Sequence, residues 1–265
     1  MYCVYQSVGF FEFSEKYQME WIKKETTVID ELCSNNQLLA NTVDTALSSA
    51  FSKIDEHAYG QDILLAKEVL RSELGLDVDQ KPGDIDLLII PIAGDSPLLH
   101  KTVAIEVKVV RPTVSKPSKN ASSMGVTQTK GLLRDGFPYI CLLHVVIPES
   151  LPLEMHWSIP LKSFDLDENG DLKDTGKILK HDPFPLISAG RQKGRIGASD
   201  LPEEASYRVL GLSRTNGDIS GITQGYSRTG KVNPRVSDIL LANIHKLLVS
   251  NPDRFKRIKW FESNS

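Results

Sequence analysis

Only three cysteines occur in the 265 residues, Cys3, Cys33 and Cys141, too far apart for a CxxC pair or a Cys/His cluster. That scarcity excludes a disulfide-stapled secreted framework and a zinc finger or ribbon, and it suits a reducing, cytoplasmic setting. No run approaches about 18 apolar residues, and the N-terminus lacks the basic start, apolar centre and small-residue cleavage site of a signal peptide. The sequence thus predicts neither a membrane span nor export through such a leader. Nor is one sign of charge in excess: 31 Lys and Arg stand against 34 Asp and Glu, a net charge of −3. A nucleic-acid partner would have to be met by a local basic patch. The common nucleotide and hydrolase signatures are missing as well, with no GxSxG, no P-loop and no GxGxxG after a strand. The six histidines are scattered without HxH or HExxH spacing, which gives a His-based metal hydrolase no foothold.

What is present is an ordinary globular composition, 40% apolar and 25% charged, on a chain long enough to bury a core. From about Glu15 to Leu74 the pattern is helical. Ser34, Asn35 and Asn36 form a stop and N-cap, after which Leu39, Val43, Ala46, Leu47, Ala50 and Ile54 recur at helical spacing. Gly60 punctuates, and QDILLAKEVLRSEL reads as a further amphipathic helix closed by Gly75. Two apolar runs follow, GDIDLLIIPI at 83–92 and VAIEVKVVRP at 103–112, joined by a turn, which predicts an antiparallel strand pair. After a polar loop, VTQTKGLLRDG predicts a short helix ending at Gly136 and PYICLLHVVIP another buried strand. The expected fold is α/β, a central mixed sheet flanked by helices. It divides into a helical N-terminal region at 1–58, a core at 59–162 and a C-terminal extension at 163–265.

Within that extension, FDLDENGDLKDTG reads as a surface turn; as a calcium loop it lacks the closing Glu at its twelfth position. Residues 186–235 read as loops or irregular structure, and VSDILLANIHKLLVSN as a helix. From Arg191 to Arg235 eight Lys and Arg stand against four acids, and RFKRIKWFESN interleaves basic and aromatic residues. Both suit contacts to a nucleic-acid backbone, and both suit a solvated surface equally.

The two charged strands carry the functional question. Strand side chains alternate faces, so Glu106 and Lys108 share one face of VAIEVKVV while Val103, Ile105, Val107 and Val109 occupy the other. The same count groups Ile85, Leu87 and Ile89, with Asp84 and Asp86 opposite. An isolated E-x-K in a strand is most often an exposed salt bridge of about 0–1 kcal/mol. Here the neighbours are Val, Ile and Ala, as in a strand covered on both faces. Burying two carboxylates and an ammonium is costly unless something compensates, and Mg²⁺ held by one or two carboxylates would do so.

Asp86 and the Glu106-Val107-Lys108 triplet, on consecutive apolar strands after a helix, resemble the PD-(D/E)XK nuclease superfamily, the restriction endonuclease-like fold. GDIDLLI followed by the EVK strand is similar in particular to Holliday-junction-resolvase-type and restriction-type members. The resemblance covers roughly residues 60–150 and implies a metal-dependent deoxyribonuclease, an endonuclease of restriction, repair or defence, acting on DNA with Mg²⁺ or Mn²⁺. It implies Asp86 and Glu106 as metal ligands and Lys108 as the catalytic base or phosphate stabiliser. The family's further acid, in the helix before the first strand, would be Asp62, with Glu56 and Glu68 as alternatives. Gln128 and Lys130 on the helix after the E-x-K strand, together with Arg111, would contact substrate. Asp84 is expected to form a turn or support the site from behind. A catalytically silent nucleic-acid-binding or assembly protein on the same fold is the rival reading, no membrane partner is expected, and a homodimer is left open.

Overall fold

The structure, a computed structural model, describes residues 25–50, 62–79, 83–117, 124–166, 170–196, 200–215, 218–223 and 228–258. Two helices come first, α1 (Glu25–Ser34) and α2 (Asn36–Ala50). Asn35 separates them as expected, its side-chain oxygen accepting the Leu38 N–H at 3.1 Å in N-cap fashion. Leu39, Val43, Ala46, Leu47 and Ala50 are all buried along α2, while Ile54 lies outside the described residues.

The sheet begins earlier than expected. Residues 63–69, read from sequence as part of a helix, are strand β1 (Ile63–Val69), followed by a 3-10 turn at Arg71–Leu74 that Gly75 closes at φ 63. The helical reading failed because β1 lies between two partners and buries both faces: Ile63 and Leu65 enter one core, Ala66 and Val69 the other. A strand buried on both sides loses its period-2 alternation and becomes a continuous apolar run.

Strands β2 (Ile85–Ala93), β3 (Ser96–Pro97) and β4 (Val103–Val110) follow, then helix α3 (Val126–Asp135) and β5 (Tyr139–Val146). β2 and β4 pair antiparallel, and β4 and β5 parallel with α3 as the crossover. A hairpin follows, with β6 (Trp157–Pro160) and β7 (Phe164–Leu166) returning through β8 (Leu172–Asp174) and β9 (Ile178–His181). Then come α4 (Phe184–Ile196), β10 (Ala205–Thr215), β11 (Asp218–Thr223), α5 (Asp238–Ser250) and β12 (Lys256–Ile258).

These last elements correct the reading of 186–235 as irregular. β10 pairs parallel with β5 along seven residues, and the sheet runs β11-β10-β5-β4-β2-β1-β12, with β3 attached to β2. The chain is α/β with a central mixed sheet. Residues from α1 and α2 fill the core on one face, and residues from α3, α4 and α5 fill the other. Among the described residues no helix is long and apolar enough to cross a membrane.

Several of the basic residues expected at a nucleic-acid surface are engaged within the protein. Arg228 donates to the carbonyls of Leu201, Pro202 and Ala205, Lys231 pairs with Glu203, and Arg208 is buried in β10. Within the basic-aromatic segment Lys256–Ile258 form edge strand β12 against β1; there Arg257 pairs with Asp62 and Asp95, and nearby Arg254 pairs with Glu73.

Candidate active site at the parting of two strands

Alternation along β4 places Val103, Ile105, Val107 and Val109 in the core beneath α1 and α2. Ala104 and Val110 enter the core beneath α3–α5, so Glu106 and Lys108, which share their parity, turn to that side. β2 departs from the expected count. Leu87 and Ile89 pack with the α1–α2 core, but Ile85 packs with the opposite one, so the strand rolls at Asp86. β1 does the same alongside: Leu65 and Val69 lie in opposite cores, with Glu68 between them at φ 49.

At this rolled end β2 and β4 part. Their last paired residues are Leu87 and Ile105, which leaves Asp86 and Glu106 as the next residue on each strand. Asp86 Oδ2 accepts the Val107 N–H at 2.7 Å, supplying a partner where the ladder has ended. Lys108 Nζ lies 2.8 Å from Glu106 Oε1 and 2.8 Å from Glu25 Oε1. Asp86, Glu106 and Lys108 are therefore brought together, and Glu25, the first residue of α1, joins them.

Glu25 was missed because its only local signal, an acid in a helix's first turn, is shared by most helices. Its arrival depends on α1 packing beneath β4. The acids named from sequence go elsewhere. Asp62 precedes β1 and is committed to Arg257, Glu68 is exposed on β1, and Glu56 lies outside the described residues. Asp84 accepts the Arg71 N–H at 3.0 Å, a support for the turn after β1. Arg111, just past β4, is half-buried; burial lowers its pKa and the Glu25 charge works the other way, which places it in the field of the same cluster. Gln128 and Lys130 lie on α3, where Lys130 is committed to Asp200 in an exposed ion pair.

The electrostatics are unbalanced toward negative charge. Burial first, then the neighbouring Glu106 charge, push Asp86 up from 3.8 to about 7. Burial also raises Glu106, against the opposing pull of Lys108. Burial disfavours the Lys108 ammonium, but Glu106 and then Glu25 outweigh it and hold the group well above the ordinary lysine range. Lys108 is thus a fixed cation at neutral pH, suited to stabilising a phosphate rather than to accepting a proton.

A polar core backs the cluster. His144 on β5 stands opposite Lys108 in register and is fully buried. Its Nε2 donates to the Met124 carbonyl at 3.0 Å, and its Nδ1 accepts from the Gln192 amide at 2.8 Å. That pattern requires the neutral ring, in keeping with a pKa that burial lowers to about 4. The Met124 contact anchors the turn into α3, where Gly125 sits at φ 84. A Cβ there would lie 2.5 Å from Leu142 Cδ1 and 3.1 Å from Lys108 Cγ.

Gly125→Ala is accordingly expected to lose about 2–3 kcal/mol in thermal unfolding, combining left-handed strain with the clash. Gly94, at φ 60 with open space around it, is the control. Its alanine variant should lose only about 1 kcal/mol, and equal losses at the two positions would rule out the crowding.

As a metal site the donor set is small. Among the described residues no group of three or more His, Cys, Asp and Glu has metal-holding geometry. Two carboxylates raised chiefly by burial fit a hard divalent cation that keeps several waters, and they do not fit a structural zinc site, which is closed by four ligands, mostly Cys and His. Comparison with protein-family models, with curated proteins and with solved structures returns no match for this chain.

Proposed function

We propose that this protein is a divalent-metal-dependent deoxyribonuclease of the restriction endonuclease-like type, cleaving DNA phosphodiester bonds as an endonuclease in restriction, repair or defence. The observation that carries the reading is the meeting of Asp86 and Glu106 at the gap between β2 and β4, both raised by burial, with Lys108 alongside. Two carboxylates repelling each other in a poorly solvated place favour a bound cation. Three widely spaced cysteines in 265 residues suit the reducing cytoplasm in which such an enzyme would work.

In this reading Asp86 and Glu106 hold Mg²⁺ or Mn²⁺, which supplies phosphate charge neutralisation and an acidified water when bound. The remaining chemistry belongs to the chain. Lys108 presents a fixed positive charge toward the scissile phosphate, and Glu106 and Glu25 hold its ammonium in place from two sides. Val107 N–H aims the Asp86 carboxylate through Oδ2, leaving Oδ1 for other work. Glu25 is a further acid at the cluster, paired with Lys108. Arg111, within electrostatic reach of Glu25, adds positive charge beside the cluster.

Incubation of supercoiled plasmid with the protein and Mg²⁺ or Mn²⁺ tests this directly. Wild type is expected to nick or linearise the DNA, EDTA to stop it, and Lys108→Ala to cut at least about 100-fold more slowly, the usual effect of removing one electrostatic stabiliser. Intact plasmid with both metals, alongside retained DNA binding, would favour the silent binding protein. Equal cutting by Lys108→Ala would remove Lys108 from the site.

A further inference from the structure

Between β5 and α4 the chain leaves the body as one long hairpin. β6 pairs with β9 and β7 with β8 in a single continuous register, Trp157 opposite His181 and Leu166 opposite Leu172. The join is kept by backbone bonds from Leu161 N–H to the Lys177 carbonyl and from Thr175 N–H to the Ser163 carbonyl, each 2.8 Å. At about 3.3 Å per residue the ribbon is roughly 30 Å long. Every residue of its four strands except His181 is exposed.

Such a ribbon is at best marginally stable alone and needs an apolar face covered. This one carries two apolar patches. Near the base Trp157, Ile159, Leu161 and Leu179 share one face; near the tip Phe164, Leu166 and Leu172 share the other, Leu166 and Leu172 being 70% and 71% exposed. Ile178, 63% exposed, adds a further apolar side chain to that second face. Scattered surface leucines need no explanation, but a ribbon that exposes eight large apolar side chains does.

The charges say what covers it. The base half, 157–163 and 175–181, holds Lys162, Lys177 and Lys180 and no acid. The described residues of the tip half, 164–166 and 170–174, hold Asp165, Asp171 and Asp174 against Lys173 alone. An acidic tip is repelled by nucleic acid and by anionic membranes. It matches the base of a second copy laid antiparallel, an arrangement that makes the same contact twice about a two-fold axis.

We infer that residues 157–181 are a dimerisation arm, the acidic apolar tip of each copy lying on the basic apolar base of the other. This goes beyond the nuclease reading and is independent of it. It places two copies of the site in one particle.

Sedimentation velocity on the full-length protein tests the arm. Wild type is expected at twice the 29.5 kDa chain mass, and Leu166→Asp with Leu172→Asp at the chain mass, with unchanged circular dichroism. Two charge-reversed forms then fix the arrangement: Lys162→Glu, Lys177→Glu and Lys180→Glu in one, Asp165→Lys, Asp171→Lys and Asp174→Lys in the other. Each alone should lose the dimer, and an equimolar mixture should regain it as a heterodimer. A monomeric wild type at 100 µM, a dimer indifferent to the leucine changes, or a mixture that stays monomeric would each overturn the proposal.

Discussion

Asp86→Asn is expected to abolish DNA cleavage and, in the absence of metal, to make the protein more stable. The two effects have one source. Asp86 is raised from 3.8 to about 7 by burial and by Glu106. Between those values the native chain keeps a proton that the unfolded chain has released, so this group's contribution to stability falls as pH rises from about 4 to 7, and the deficit persists above 7. At 1.36 kcal/mol per unit the shift has an upper bound of about 4 kcal/mol, and partial solvation brings the realistic figure to about 2.

Asparagine carries no charge at any pH, and its carbonyl can still accept the Val107 N–H. In EDTA at pH 8 the variant should therefore melt about 4–8 °C above wild type, and the gap should close by pH 4. Added Mg²⁺ should reverse the order by stabilising wild type through binding to the native state only. A variant that melts below wild type at pH 8 without metal would show that Asp86 is not electrostatically frustrated, and the argument for a cation at the gap would fall with it.

Asp135→Ala is expected to lose about 3–5 kcal/mol. Arg71 is buried after β1, and its guanidinium makes two bonds to Asp135 at the end of α3, at 2.7 and 3.1 Å, with Nε donating to the Asp77 carbonyl. Removing the carboxylate leaves that charge buried and uncompensated. Because the pair ties the turn after β1 to the helix that crosses from β4 to β5, the loss should appear as a lower urea midpoint with unchanged slope. Replacing both partners, Arg71→Met with Asp135→Leu, should recover most of it, since a well-packed apolar pair does not suffer the desolvation of two ions. Lys130→Ala, which breaks an exposed pair on the same helix, should change stability by no more than about 0.5 kcal/mol. An Asp135→Ala loss as small as that would mean the guanidinium reaches water after all.

Much of the local structure was written in neighbouring residues. The helix from Val126 to Asp135 ends at Gly136, which sits at φ 92, because a left-handed C-cap suits glycine and the apolar spacing stops there. α5 starts where Ser237 caps it, its side chain accepting the Leu240 N–H. The two charged strands pair antiparallel because a short turn joins them, and β4 obeys strict alternation, so Glu106 and Lys108 emerge on one face.

The failures share a different cause. β1 looked helical because distant segments cover both its faces, Ile63 and Leu65 lying in one core and Ala66 and Val69 in the other, and its partner β12 lies nearly two hundred residues downstream. β10 looked irregular because its place beside β5 depends on a parallel pairing that no local period announces. Asp62 was drawn off by Arg257, which reaches it only because the C-terminal edge strand docks on β1.

The same division runs through the candidate site. Local sequence determined that Asp86, Glu106 and Lys108 would stand on adjacent strands in apolar surroundings, because strand period and turn length are short-range properties. Tertiary structure alone decided that β2 rolls at Asp86, that the ladder opens just where the carboxylates stand, and that Glu25 arrives from the first helix to share Lys108. Those outcomes depend on which distant surfaces pack together, and packing energy is set by the whole core rather than by any stretch of it.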